Sequence, residues 1–153
     1  MNTVTKMEII YAENTVNHAA IAHAQAQAIH DEMVEIYETE LLANYKKPAD
    51  FITEGVDIGG TSAQGEVIAT REEMLKTFGA PSFCDWDSGD KTTIEWDIFF
   101  TDGTVATIYD YKRIECGEES WAVPMFDPFR WYIGGNSPRA VDMVKASLAK
   151  AIN

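Results

Sequence analysis

The stretch Thr92–Lys112, T-T-I-E-W-D-I-F-F-T-D-G-T-V-A-T-I-Y-D-Y-K, constrains the fold of this chain more than any other segment. Two runs alternate with the period-2 pattern of half-buried strands, joined by Asp102-Gly103, a dipeptide suited to the two φ > 0 positions of a type I′ turn. A tight antiparallel hairpin is predicted, with Thr101 opposite Thr104. That register puts Phe100/Val105, Ile98/Thr107, Trp96/Tyr109 and Ile94/Tyr111 on a core-facing side. The other side carries Phe99/Ala106, Asp97/Ile108, Glu95/Asp110 and Thr93/Lys112, so that two carboxylates oppose each other, usually at a cost in stability.

The remaining segments arrange themselves around this hairpin. Met7–Tyr11 reads as a short strand. Asn14 or Thr15 is a candidate N-cap for a long helix running to about Lys46, since no Gly or Pro interrupts it. Ala22, Ala26, Ile29, Met33, Ile36, Tyr37 and Leu41 form its apolar stripe, and Asp31, Glu35 and Glu38 lie opposite. A helix longer than a small sheet can cover is expected to pack on a second copy of itself, giving a homo-oligomer. Lys46-Lys47-Pro48 ends the helix because the residue before proline is pushed out of the α region. Two parts are therefore expected: an N-terminal helical arm for oligomerisation, 1–50, and a compact α+β domain, 51–153.

Within the second part, Glu66–Ala69 reads as a strand. Thr70-Arg71-Glu72-Glu73 is a capping box that opens a short helix, with Gly79 as its terminating residue. Ser82–Lys91 is an aspartate-rich loop, and Glu115–Asp127 is acidic and irregular, with Trp121 among its packing residues. Phe129–Ile133 is a further strand. Ser137 caps a last helix with Pro138 at its first position and Ala140, Val141, Val144, Leu148 and Ile152 as its buried stripe. The fold class is α+β: a small antiparallel sheet around the central hairpin, packed with helices and preceded by a long N-terminal helix.

A length of 153 residues suits a soluble globular protein, and a net charge of −13 opposes attraction to nucleic acid or to an anionic membrane surface. Direct nucleic-acid binding and membrane association are not expected; a basic partner would be welcomed. Cys84 and Cys116 lack the spacing of a disulfide framework or a zinc site. No secretion signal or spanning apolar run is read, so the expected setting is a cytoplasm.

Ile58-Gly59-Gly60-Thr61-Ser62 and Ile133-Gly134-Gly135-Asn136-Ser137 share the form I-G-G-x-S. Paired glycines at a turn expose backbone N–H groups, and the second copy precedes a helix N-terminus, where unpaired amides favour an anion. Gly60, Thr61, Ser62, Gly134, Gly135, Asn136 and Ser137, with Arg130 and Arg139 nearby, are therefore candidate ligand-binding residues. Trp131 or Tyr132 would stack on a base. The phosphate-loop and G-x-S-x-G patterns are absent. Glu95, Asp97 and Asp110 could hold a cation or do acid/base work, although Lys112, Arg113 or Arg130 would neutralise them structurally. Asp85, Asp87 and Asp90 lack the order of a calcium loop, and His18, His23 and His30 lack zinc-chelating spacing. No catalytic set, metal or cofactor is expected.

The motifs G-T-S-A-Q-G, F-G-A-P, I-E-W-D-I-F-F-T-D-G-T-V-A-T-I-Y-D-Y-K and W-Y-I-G-G-N-S, in this order from about Gly60 to the C-terminus, resemble a widespread family of small bacteriophage-encoded accessory proteins. The resemblance implies a phage gene acting in a bacterial host's cytoplasm, and it carries no catalytic residues. Together with the glycine turns and the aromatics it leads to an expected function. This is a non-enzymatic anti-defence protein that sequesters a small nucleotide-like immune signal. The alternative is an acidic inhibitor that occupies a basic, nucleic-acid-binding surface of a host defence enzyme.

Overall fold

The computed structural model describes residues 6–86, 89–111 and 123–152, with side chains from Asn14 to Ala151. Helix α1 spans Lys6–Ala43, followed by β1 Phe51–Ile52, β2 Ser62–Ala69, α2 Arg71–Phe78, β3 Phe83–Cys84, β4 Ile94–Phe100, β5 Val105–Tyr109, β6 Phe129–Gly135 and α3 Arg139–Ile152. The fold is α+β, with one antiparallel sheet in the order β1-β4-β5-β6-β2 and β3 pairing on β4. The irregular segment expected within Glu115–Asp127 lies largely outside the described residues, as do Lys112, Arg113, Asp87, Cys116 and Trp121.

Met7–Tyr11 is helical, not a strand: the segment belongs to an uninterrupted helix, and local propensity yields to that continuity. The helix stops at Ala43, before the Lys-Lys-Pro signal. There the Asn44 side-chain amide donates to the Glu40 carbonyl at 2.8 Å, and the Asn44 backbone N–H reaches the Glu40 and Leu41 carbonyls. The chain divides into two compact units, 1–39 and 40–153, so the break falls at Thr39/Glu40 rather than at 50/51. Residues 40–50 fasten onto the second unit. The Tyr45 hydroxyl donates to the Thr77 carbonyl and its ring lies over Gly79, while Asp50 pairs with Lys150 at 2.9 Å.

The capping box forms as read: the Glu73 amide donates to the Thr70 hydroxyl, and the Thr70 amide donates to the Glu73 carboxylate. Gly79 ends α2 at φ 75°, and the Tyr45 ring would in any case exclude a side chain there.

The hairpin forms with a different turn. Phe100 pairs with Thr104 around a three-residue loop, Thr101–Gly103, with Gly103 at φ 90° and the Asp102 carboxylate accepting the Thr104 amide at 2.9 Å. Phe99 therefore faces Val105, Ile98 faces Ala106, Trp96 faces Ile108 and Glu95 faces Tyr109. A one-residue slip exchanges the faces of β5. Ile94, Trp96, Ile98 and Phe100 do face the core, and Ala106 and Ile108 share their side of the sheet, while Val105 and Thr107, buried as well, lie with Tyr109 on the other side. Met74, Leu75 and Phe78 of α2 and Ala140, Val144 and Leu148 of α3 complete that core.

Strands β2 and β6 are longer than expected and pair along their whole length, with an irregularity between Ala63 and Gly65. The Gln64 side chain donates from this bulge to the Gly135 carbonyl at 3.1 Å. A chain beginning at Glu40 is expected to unfold cooperatively in urea. One beginning at Phe51 loses Tyr45 and Asp50 and should be less stable by about 1–3 kcal/mol; equal stability of the two fragments would contradict the placement of residues 40–50.

Candidate functional site

The two I-G-G-x-S segments meet, with Ser62 opposite Gly135, but they do not form a pair of open anion turns. Gly134 and Gly135 are buried residues of β6, flanked by β2 on one side and β5 on the other. They are glycines because a Cβ on Gly134 would collide with the Thr107 hydroxyl, and one on Gly135 would collide with the Ala140 methyl and the Val105 carbonyl, 2.8 Å away. Asn136 extends the ladder through its side chain: Val105 N–H donates to its Oδ1 at 3.0 Å, and its amide donates to the Gly103 carbonyl. Ser137 accepts the Ala140 amide through its backbone carbonyl.

Arg139 is committed to Asp102 at 2.6 Å, and the Thr104 amide bond, followed by this pairing, holds the Asp102 carboxyl down at about 2. At the first segment, Asp57 already accepts the Gly59 amide, and the Thr61 amide donates to the Ile58 carbonyl. Only Gly60, at φ 77° with open space around it, keeps the character of an exposed turn. Trp131 is fully buried, its indole N–H donating to the Ala69 carbonyl at 3.0 Å, and no base can stack on it.

The same register change that closes this region assembles another. On the sheet face opposite α2 and α3, Glu95 lies beside Tyr109 across the β4–β5 pair, and Tyr109 lies beside Tyr132 across the β5–β6 pair. The Tyr109 and Tyr132 rings stack at 6.2 Å, and Tyr111 meets them edge-on at 6.3 and 5.8 Å. Tyr132 is half-buried and Tyr111 exposed. Arg130, two residues before Tyr132 on the same face, holds Glu66 only loosely at 3.8 Å.

Glu95 and Asp97 stand two apart on β4, so their carboxyl groups share one face of that strand. Burial, then the Asp97 side chain beside it, then Asp110 push the Glu95 carboxyl up to about 7. Asp97 also lines a cleft of about 670 Å³ together with Tyr45, Thr53, Glu54, Phe78 and Pro81, and its Oδ1 is buried with no hydrogen-bond partner among the described residues. The Ser82 hydroxyl accepts the Asp97 amide at 2.9 Å.

The expected opposition of Glu95 and Asp110 is not present. Asp110 sits fully buried at the end of β5, where its carboxylate accepts the Thr93 and Ile94 amides at 2.7 and 3.0 Å together with the Thr93 hydroxyl. It pins the start of β4, which is a structural role. Among the described residues no cluster of His, Cys, Asp and Glu is arranged to hold a metal ion, and no helix is long and apolar enough to cross a membrane.

The alternation of Arg130 and Tyr132 against Phe129 and Trp131 was the sequence signal for which aromatic faces outward. The Glu95–Asp97 pair was visible only as i, i+2 spacing on a strand. No family model matches the chain, and no curated protein matches it.

Titrating at about 7, the Glu95 carboxyl can offer a hydrogen-bond donor as well as an acceptor near neutral pH, next to the tyrosine cluster. Because the folded-state value of Glu95 lies above its ordinary 4.5, the native state holds the proton more tightly than the unfolded chain. Stability is then highest below about 4.5 as far as this group is concerned, and declines as pH rises through about 7. Glu95→Gln should flatten this slope and raise stability at pH 8 by about 1–2 kcal/mol, a figure reduced for the group's half exposure. Urea titrations of both proteins at several pH values check this, and parallel pH profiles would contradict the shifted carboxyl.

Proposed function

We propose that the protein is a non-enzymatic binding protein that captures a small nucleotide-like molecule on the Glu95, Tyr109 and Tyr132 face of its sheet. The observation that carries this reading is the Tyr109, Tyr111 and Tyr132 cluster with the Glu95 carboxyl beside Tyr109 on the same face. A carboxyl able to donate as well as accept matches the alternating N–H and ring-nitrogen or carbonyl edge of a nucleobase, and aromatic faces stack on any base. Arg130, exposed and weakly paired, stands on the same face within reach of a phosphate.

The biological setting rests on the resemblance of the Gly60-to-C-terminus motifs to phage accessory proteins: a phage product that sequesters an immune signal in the cytoplasm of the bacterial host. The exposed carboxylates Asp31 and Glu35 of α1, in a chain of net charge −13, support the second reading of an acidic inhibitor of a basic host protein.

Titration calorimetry with purine mononucleotides and cyclic dinucleotides separates the two. Binding is expected, weakened by about tenfold or more in Tyr132→Ala and in Glu95→Ala, and unchanged in Arg139→Ala, whose guanidinium is occupied by Asp102. Affinity should fall as pH rises through about 7, and Glu95→Gln should remove that dependence. If no nucleotide of the panel binds, the capture reading is wrong, and retention of a basic host protein lost in Asp31→Ala/Glu35→Ala would establish the inhibitor instead.

A further inference from the structure

Ala19, Ala22, Ala26, Ile29, Met33 and Ile36 of α1 recur at alternating intervals of three and four residues. That is a 3.5-residue period, the narrow a/d seam of a coiled coil rather than the wider stripe of a helix lying on a globular core. All six are exposed, with Ile29 at 58%, Met33 at 64% and Ile36 at 53%. Polar Thr15 and Glu40 follow at the same spacing and end the run.

We propose that this seam binds the same seam of a second copy in antiparallel orientation, about a two-fold axis between residues 27 and 28. The distribution of side-chain size selects both the partner and the direction. The three alanines fill the N-terminal half of the seam and the three large side chains fill the C-terminal half. In the antiparallel pair Ala19 meets Ile36 of the second copy, Ala22 meets its Met33 and Ala26 meets its Ile29, and the twofold axis repeats each contact. Every one of the six layers, over about 27 Å of helix, then holds one small and one large residue, so the helices keep a uniform separation without voids. A parallel pair would set alanine on alanine at one end and isoleucine or methionine on its like at the other, forcing the helices to diverge or leave gaps.

Charge agrees with this arrangement. At the flanking positions Gln25 faces Glu32 of the second copy, an amide donor against a carboxylate, and His23 faces its His30. His30 Nδ1 also lies 3.4 Å from Asp31 of its own helix. No two carboxylates meet across the seam, because Asp31, Glu35 and Glu38 occupy outward positions. In a chain with 25 acidic and 12 basic residues, few surfaces allow self-association on these terms.

Sedimentation equilibrium of the full chain at micromolar concentration is expected to give twice the 17.1 kDa chain mass. Ile29→Glu should loosen the dimer by roughly a hundredfold or more by placing a charge in a central layer. Ile21→Glu, 55% exposed but outside the seam, should leave it intact. Near-ultraviolet circular dichroism checks that the unit from Glu40 onward stays folded in both. Direction is read by oxidative cross-linking in a Cys84→Ser/Cys116→Ser background. A tagged Ala22→Cys chain mixed with an untagged Met33→Cys chain should form the mixed disulfide, and neither chain alone should cross-link to itself. A monomer, a larger oligomer, equal dissociation by Ile21→Glu, or self-cross-linking of either cysteine chain would overturn the proposal.

Discussion

Two buried indoles hold this domain together at its centre. Trp96 and Trp131 stand on β4 and β6 and meet edge to face at 5.4 Å. Their N–H groups donate to the carbonyls of Gly79 and Ala69 at 2.9 and 3.0 Å. Those carbonyls flank α2, one just before its N-cap and the other at its C-terminal glycine. The helix is thus fastened to the sheet at both ends by the residues that supply the largest apolar area of the core. Losing either indole would remove packing and leave a buried carbonyl unpaired, two penalties that add. Phe78 at the end of α2 then packs on Phe51 of β1 at 5.4 Å, and Phe51 packs on Phe100 of β4, so the same core extends to the sheet edge.

With α2 and α3 fixed on one face, the other face of the sheet carries the polar and aromatic groups. Its composition is unusual for structural purposes alone. A carboxyl whose titration burial raises to about 7 costs stability above that pH, and Asp97 Oδ1 is buried with no hydrogen-bond partner among the described residues. Asp110 shows what a structural carboxylate looks like in the same fold: buried, but satisfied by two amides and a hydroxyl. The contrast between Asp110 and the Glu95–Asp97 pair is the strongest local argument that the pair serves recognition.

Much of this was legible in the sequence, and the rest was not for identifiable reasons. The capping box at Thr70 and the terminating Gly79 depend on a few adjacent residues and formed as read. The core face of β4 followed from its alternation. The face of β5 hung on whether the turn held two residues or three. Asp-Gly serves both, and the Asp102 side chain, by accepting the Thr104 amide and pairing with Arg139, goes with the longer loop. Gly134-Gly135 looked like a turn because paired glycines usually are one. Here they are strand residues whose missing side chains make room for Thr107 and Ala140, neighbours that only the tertiary structure brings near. Trp131 was placed correctly by its alternation with Phe129 and Ile133, yet the sequence offered no measure of how completely it would be buried.

The account turns on the Glu95 carboxyl, whose titration burial pushes up to about 7 on the sheet face opposite α2 and α3. Carboxyl-carbon NMR of protein labelled at glutamate, with Glu95 assigned through Glu95→Gln, follows that proton directly. A titration midpoint near 7, moving back toward the ordinary 4.5 when Asp97→Asn removes the shared charge, is the predicted result. A Glu95 resonance that titrates at about 4.5 in the intact protein would contradict the account.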